Sequence, residues 1–139
     1  MGRMRTLLTV LMAVSIFVLS GCLSQSLEAP ASISQPLPTV PTGYMGKIIP
    51  SNVDASAGAN IFESDCVTCH GKNGHGDGPA SQSLNPRPAN LVALSKISAD
   101  DFLFWKISTG VDGTAMPAWK SILTDQQIWQ IIAFIRLLK

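Results

Sequence analysis

Cys66-Val67-Thr68-Cys69-His70 constrains this chain more than any other stretch of its sequence. Two thiols three residues apart, on one helical turn, can reach two vinyl groups on one edge of a porphyrin. The next residue then places an imidazole under the iron. The pattern predicts covalent attachment of one haem c, with Cys66 and Cys69 forming the thioethers and His70 ligating the iron. A zinc site would need a second pair of ligands, and the only other cysteine is Cys22. A thioredoxin-like pair would need a βαβ context, and no β-alternation stands out.

A haem held by one histidine leaves a sixth iron position. Methionine is the usual partner in electron-carrying cytochromes, and Met116 lies in Gly113-Thr114-Ala115-Met116-Pro117. Pro117 biases the preceding residue toward extended backbone, which helps aim a thioether from a loop. Met45, His75 and an open position are the alternatives. Met1, Met4 and Met12 belong to the N-terminal segment, and His75 follows His70 by only a few residues.

Arg3 and Arg5 precede an apolar run, Leu7 to Leu19, interrupted by Thr9 and Ser15. The run is shorter than the roughly 20 residues of a spanning helix and reads as a signal-peptide core; an uncleaved anchor is the alternative. Leu19-Ser20-Gly21-Cys22 resembles a bacterial lipoprotein signal, which implies cleavage before Cys22 and lipidation of its sulfur. Two or three acyl chains anchor stably where one does not. The expected location is the extracytoplasmic face of a membrane, where haem is also attached.

The expected organisation is a signal peptide over 1–21, a lipidated linker over 22–53 and a folded domain over 54–139. Pro30, Pro36, Pro38, Pro41 and Pro50 stand among Ser, Thr and Gln in the linker. Such a composition favours extended conformations; roughly 30 residues would reach about 90 Å as polyproline or about 30 Å as a coil. Tyr44 to Ile49 is more apolar and can lie along the domain or a partner. The fold class expected is all-α, three main helices around one haem. The first follows Asp54 as N-cap and runs to about Asp65. The second starts at Ser98, with Asp101 completing a capping-box-like pair, and ends before Gly110. The third follows Thr124, with Gln127 three residues on, and continues to the C-terminus. About 85 residues form a small core that gains from a covalent staple.

The order of Cys66-to-His70, the Met116-Pro117 loop and the final helix resembles a class I cytochrome c. The resemblance spans roughly Asp54 to Lys139. It implies that the first and last helices cross at nearly right angles, with Gly58, Phe62 and Phe134 at the crossing. A helical glycine costs about 1 kcal/mol against alanine, so close backbone approach explains Gly58. Arg87, in a Pro-flanked turn, is a candidate contact for a haem propionate. The carbonyl of Pro86 or Pro88 is expected to orient His70 through Nδ1. Gly71, Gly74, Gly76 and Gly78 allow sharp turns beside the haem. Trp105 and Trp119 read as pocket or core aromatics.

These features imply an electron carrier rather than an enzyme, with an open-site haem enzyme as the alternative. The formal net charge is +1, and removing Arg3 and Arg5 leaves eight basic residues against nine acidic ones. No basic patch suggests nucleic acid. The expected partners are redox proteins, integral subunits of a respiratory or photosynthetic membrane complex, and the lipid membrane through Cys22. Gly76-Asp77-Gly78-Pro79-Ala80 and Pro86-Arg87-Pro88-Ala89-Asn90-Leu91 are similar to phrases in the mono-haem lipoprotein subunit of alternative complex III, a quinol-oxidising assembly. A free-standing tethered shuttle is the alternative. On the last helix, Ile128, Ile131, Ile132, Phe134, Ile135 and Leu138 form a core-facing stripe. Trp129, Ala133 and Leu137 form a second stripe, expected either to pack internally or to meet a partner subunit.

Overall fold

Three of the helices start beside a residue whose side chain caps them. A computed structural model of the chain describes residues 36–139, and every regular element among them is helical. Helix α1 (Ala55–Asp65) follows Asp54, whose carboxylate accepts from the amides of Ser56 and Ala57 at 2.8 and 3.3 Å. The Ser56 hydroxyl first, then these two amides, holds the Asp54 carboxyl below its ordinary value. Helix α2 (Val67–His70) is a single turn bearing Cys69 and His70. Helix α3 (Leu91–Ile97) is capped by Asn90, which accepts from the Ala93 amide at 2.9 Å. Helix α4 (Asp100–Thr109) has two carboxylates in its first turn, where the helix dipole favours negative charge. Helix α5 (Asp125–Ile135) opens with a complete Thr124–Gln127 capping box.

Two boundaries and one additional helix differ from expectation. Ser98 does not start α4; its hydroxyl donates to the Leu94 carbonyl at 2.8 Å and closes α3. Helix α3 is seven residues long, too short to show a convincing helical period beside the proline-rich turn before it. Helix α5 stops at Ile135 and the chain then turns.

Helices α1 and α5 meet at Gly58. A Cβ there would overlap the Gln130 carbonyl and lie 2.9 Å from the Ile131 amide nitrogen. Glycine is therefore required by backbone contact. Phe62 and Phe134 pack alongside, with ring centroids 5.2 Å apart at 57°. Phe62, Phe104, Ile128, Ile131 and Ile132 are buried in the core.

The expected linker ends earlier than Val53. The compact unit holding the helices begins at Leu37, and Leu37, Val40, Tyr44, Ile49 and Val53 pack against the core. The Gly46 amide donates to Asp101 Oδ2 at 2.9 Å, and the Ile49 amide donates to Asp100 Oδ2 at 3.2 Å. Lys47 Nζ stands 5.4 Å from the Phe104 ring centroid, and Lys120 Nζ 5.8 Å from that of Tyr44. Proline-rich composition alone does not reveal these contacts, because α4 supplies the acceptors. The expected signal peptide, Cys22 and the linker through residue 35 lie outside the described residues. Among the described residues, no helix is long and apolar enough to cross a membrane.

This strap, residues 37–53, also changes the second stripe of α5. Trp129 is buried and stacks on Phe104, with centroids 4.3 Å apart at 28°. Phe104 in turn meets Tyr44 at 6.2 Å. Trp129 is thus a core residue, Ala133 is half-buried, and only Leu137 of the stripe is exposed.

Candidate functional site

The single turn α2 is fixed by a glycine-rich loop that satisfies its carbonyls. The Gly71 amide donates to the Val67 carbonyl at 2.8 Å, Ala80 to Thr68 at 2.9 Å, Gly78 to Cys69 at 3.2 Å, and Gly76 to His70 at 2.8 Å. The last carbonyls of a helix lack internal donors, and here the following loop supplies them. A Cβ on Gly78 would press against the Val67 and Thr68 carbonyls and come within 2.7 Å of the Cys69 carbonyl carbon. The loop can lie this close to α2 only with glycine there.

His70 is half-buried, and its Nδ1 lies 3.0 Å from the Ala89 carbonyl oxygen. A carbonyl can only accept, so this pairing puts the proton on Nδ1 and leaves a lone pair on Nε2. Burial pulls the His70 pKa below its ordinary value, and the Ala89 carbonyl acts in the opposite direction. Neither Pro86 nor Pro88 is the partner. The Pro88 carbonyl instead lies over Gly76, where a Cβ would overlap it.

The loop after α4 holds Met116. Gly110 ends α4 at φ +73°, and a Cβ there would sit 2.6 Å from the Met116 carbonyl oxygen. The Val111 amide donates to that same oxygen at 3.1 Å. Thr114 Oγ1 donates to the Val111 carbonyl at 2.7 Å and accepts from the Met116 amide at 3.1 Å. Beyond Met116, the Trp119 and Lys120 amides donate to Ile107 and Ser108 carbonyls at 3.1 and 3.2 Å. Met116 is consequently set by backbone contacts on both sides.

Cys66, Cys69, His70 and Met116 line one cavity of about 350 Å³, within the span of about 300–1,000 Å³ common for ligand pockets. Leu91, Phe102, Leu103, Ile107, Trp119 and Ile135 give it predominantly apolar walls. Pro86, Arg87 and Pro88 border it, and Arg87 is exposed. Trp119 lines it, whereas Trp105 does not. Met45 and His75, the rival ligands, are exposed and do not line it.

Sequence reasoning missed three contributors. The Ala89 carbonyl had no side-chain signal. Thr114 is an ordinary loop residue until its two hydrogen bonds are seen. Lys106 borders the cavity with Nζ 3.8 Å from the Trp105 ring centroid, and only α4's orientation places it there.

Burial, with smaller contributions from Asp65 and Cys69, pushes the Cys66 thiol up to about 12. A raised thiol pKa works against ligation of a metal by Cys66, which needs thiolate. Among the described residues, no group of three or more His, Cys, Asp or Glu side chains could hold a metal ion. Paired thiols, an adjacent imidazole with a free Nε2, a thioether and apolar walls fit a covalently attached haem.

Residues 53–135, more than half of the chain, match the family model described as cytochrome C oxidase, cbb3-type, subunit III. The chain is similar to cytochrome c6 of Parathermosynechococcus lividus, 26% identical over 82 residues that cover 59% of this chain and 87% of that protein. Its fold is similar to a chain of the Kuenenia stuttgartiensis reducing HAO-like protein complex, with a TM-score of 0.56 and 24% identity over 76% of this chain. It spans only 52% of that longer chain.

Proposed function

This chain belongs to the c-type cytochrome family described as cytochrome C oxidase, cbb3-type, subunit III, and on that premise we propose that it is a membrane-tethered electron carrier with His70 and Met116 as axial iron ligands. It is a cytochrome c domain with one covalent haem c, and its activity is electron transfer. The bound haem supplies a one-electron ferric/ferrous couple.

The supporting observation is the shared cavity of Cys66, Cys69, His70 and Met116. Cys66 and Cys69 are the residues for the two thioether bonds. Ala89 fixes the His70 tautomer and ring orientation, as outer partners of metal-ligating histidines do. Thr114 and Gly110 hold the Met116 backbone. The apolar walls limit water at the site, and Arg87, which borders the cavity, is the candidate partner for a propionate. With His70 and Met116 both holding the iron, no position would be left for a substrate, so the residues suit electron transfer rather than an open-site enzyme.

Leu19-Ser20-Gly21-Cys22 supports a lipid anchor at Cys22 and placement on the extracytoplasmic face. The partners are then redox proteins of a respiratory or photosynthetic membrane complex, such as a quinol-oxidising alternative complex III. Trp129, the residue that most favoured fixed docking through α5, is core; a tethered carrier beside its complex is accordingly preferred to a subunit docked by that stripe. Mass spectrometry of protein extracted from membranes tests the assignment. The expected mature chain starts at Cys22, bears acyl chains, and retains one haem through acidified-acetone extraction. A different N-terminus refutes the anchor, and release of the haem refutes the thioethers.

A further inference from the structure

Four of the five large hydrophobic side chains most exposed among the described residues adjoin one hydrogen-bonded junction. Met45, Ile48, Ile97 and Leu137 are 57%, 75%, 54% and 64% exposed. Met45 precedes Gly46, whose amide donates to Asp101. Ile48 precedes Ile49, whose amide donates to Asp100. Ile97 precedes Ser98, whose carbonyl accepts from Arg136 Nη2 at 2.9 Å. Leu137 follows Arg136, which pairs with Asp100 at 2.6 Å. The strap, the α3–α4 corner and the end of α5 thus each carry an exposed apolar side chain next in sequence to this junction.

Singly scattered surface hydrophobes are ordinary, but a gathered set marks a contact surface. The junction beneath this set is well satisfied: Arg136 also donates to the Ser95 carbonyl, and both Asp100 oxygens are used. Exposed Lys96 precedes Ile97, and exposed Lys139 lies two residues after Leu137. Aliphatic side chains with flanking cations are the composition that an anionic bilayer accepts, apolar groups entering the headgroup boundary and lysines meeting phosphates. Met45, Ile48, Ile97 and Leu137 do not line the cavity.

Chain length favours the same occupant. With the strap folded from Leu37, about 15 residues separate it from Cys22. They reach at most about 50 Å extended and about 20 Å as a coil. A domain held this near the surface meets it at high local concentration, so a weak patch suffices.

We propose that the face formed by Met45, Ile48, Ile97 and Leu137 seats the domain on anionic lipid and fixes the orientation of its haem. The proposal rests on the Cys22 anchor for proximity, not for the chemistry of the contact. Linear dichroism of the haem absorption in aligned bilayers tests it, using the full-length lipidated holoprotein in phosphatidylcholine mixed with phosphatidylglycerol. Wild type is expected to show dichroism that weakens in pure phosphatidylcholine. Ile48→Glu with Ile97→Glu is expected to stay membrane-bound, with an unchanged haem spectrum, but to become isotropic. Isotropic wild-type absorption in the mixed lipid, or dichroism confined to native membranes containing partner proteins, overturns the proposal. So does undiminished dichroism in the double variant. Recovery of wild type in the soluble fraction refutes the anchor alone. The dichroism is then read with protein added from solution to the mixed bilayers, with the same two outcomes decisive.

Discussion

The imidazole Nδ1 of His70 and the carbonyl oxygen of Ala89 lie 3.0 Å apart. This contact connects the glycine-rich loop to the iron, because the backbone at Pro88 and Ala89 rests on Gly76. A Cβ at Gly76 would overlap the Pro88 carbonyl oxygen and come within 3.2 Å of the Ala89 carbonyl carbon and oxygen. Gly76→Ala should therefore displace the acceptor. A weaker Nδ1 hydrogen bond makes the imidazole a poorer donor to ferric iron, so the reduction potential should rise. Equilibrium redox titration of the purified variant checks this; an unchanged potential would mean that Ala89 does not tune the ligand.

Thr114 should matter more than its exposed neighbours in the same loop. Thr114→Val keeps the shape but removes the acceptor for the Met116 amide and the donor to Val111. Leaving such a group unpaired costs about 1–3 kcal/mol where it is shielded from water. The holoprotein should melt at lower temperature, and the methionine-to-iron charge-transfer band should disappear at a lower pH than in wild type. Thermal melts and a pH titration of the ferric spectrum read the two effects separately.

Truncating Trp129 should act on stability rather than on partner binding. The ring stacks on Phe104 and is buried. Large aromatic-to-alanine changes in cores cost about 3–5 kcal/mol. Denaturant unfolding of the Trp129→Ala holoprotein should show a loss of that size, whereas Leu137→Ser, at an exposed position, should change stability little.

The acid limb of stability should report the cap of α1. Asp54 is held below its ordinary pKa by Ser56 and Ala57, so its carboxylate favours the folded state. That contribution is present above the unfolded carboxylate pKa of about 4 and is lost as pH falls through the lower folded value. Asp54→Asn keeps a capping side chain that does not titrate. Its melting temperature should lie below wild type near neutral pH, and the gap should shrink below about pH 4. A gap that is constant with pH would show that the ionised cap contributes nothing.

Much of the site was legible because its chemistry is local. Cys66, Cys69 and His70 occupy a fixed pentapeptide, and Met116 was singled out by Pro117 and by the shortage of rivals. The caps at Asp54 and Thr124 were visible for the same reason. What escaped depends on partners distant in sequence. The strap from Leu37 is held by Asp100 and Asp101, more than fifty residues away from the amides they accept. The sequence left Trp129 either packed internally or facing a partner, and the stack on Phe104, itself against Tyr44, makes it internal. Ser98 resembled a start signal, but its hydroxyl closes α3 behind it. The support for His70 came from a backbone carbonyl, which any residue carries.

The central claim is that His70 and Met116 together ligate one covalent haem in an electron carrier. Optical redox titration of wild-type and Met116→Ala holoproteins, purified in detergent, tests it most directly. Wild type should titrate as a single reversible one-electron couple, with a low-spin ferric spectrum that includes the methionine-to-iron charge-transfer band. Met116→Ala should keep its haem, lose that band and titrate at a lower potential, since thioether ligation raises it. A high-spin ferric wild type, or a variant with the same spectrum and potential as wild type, would contradict the account.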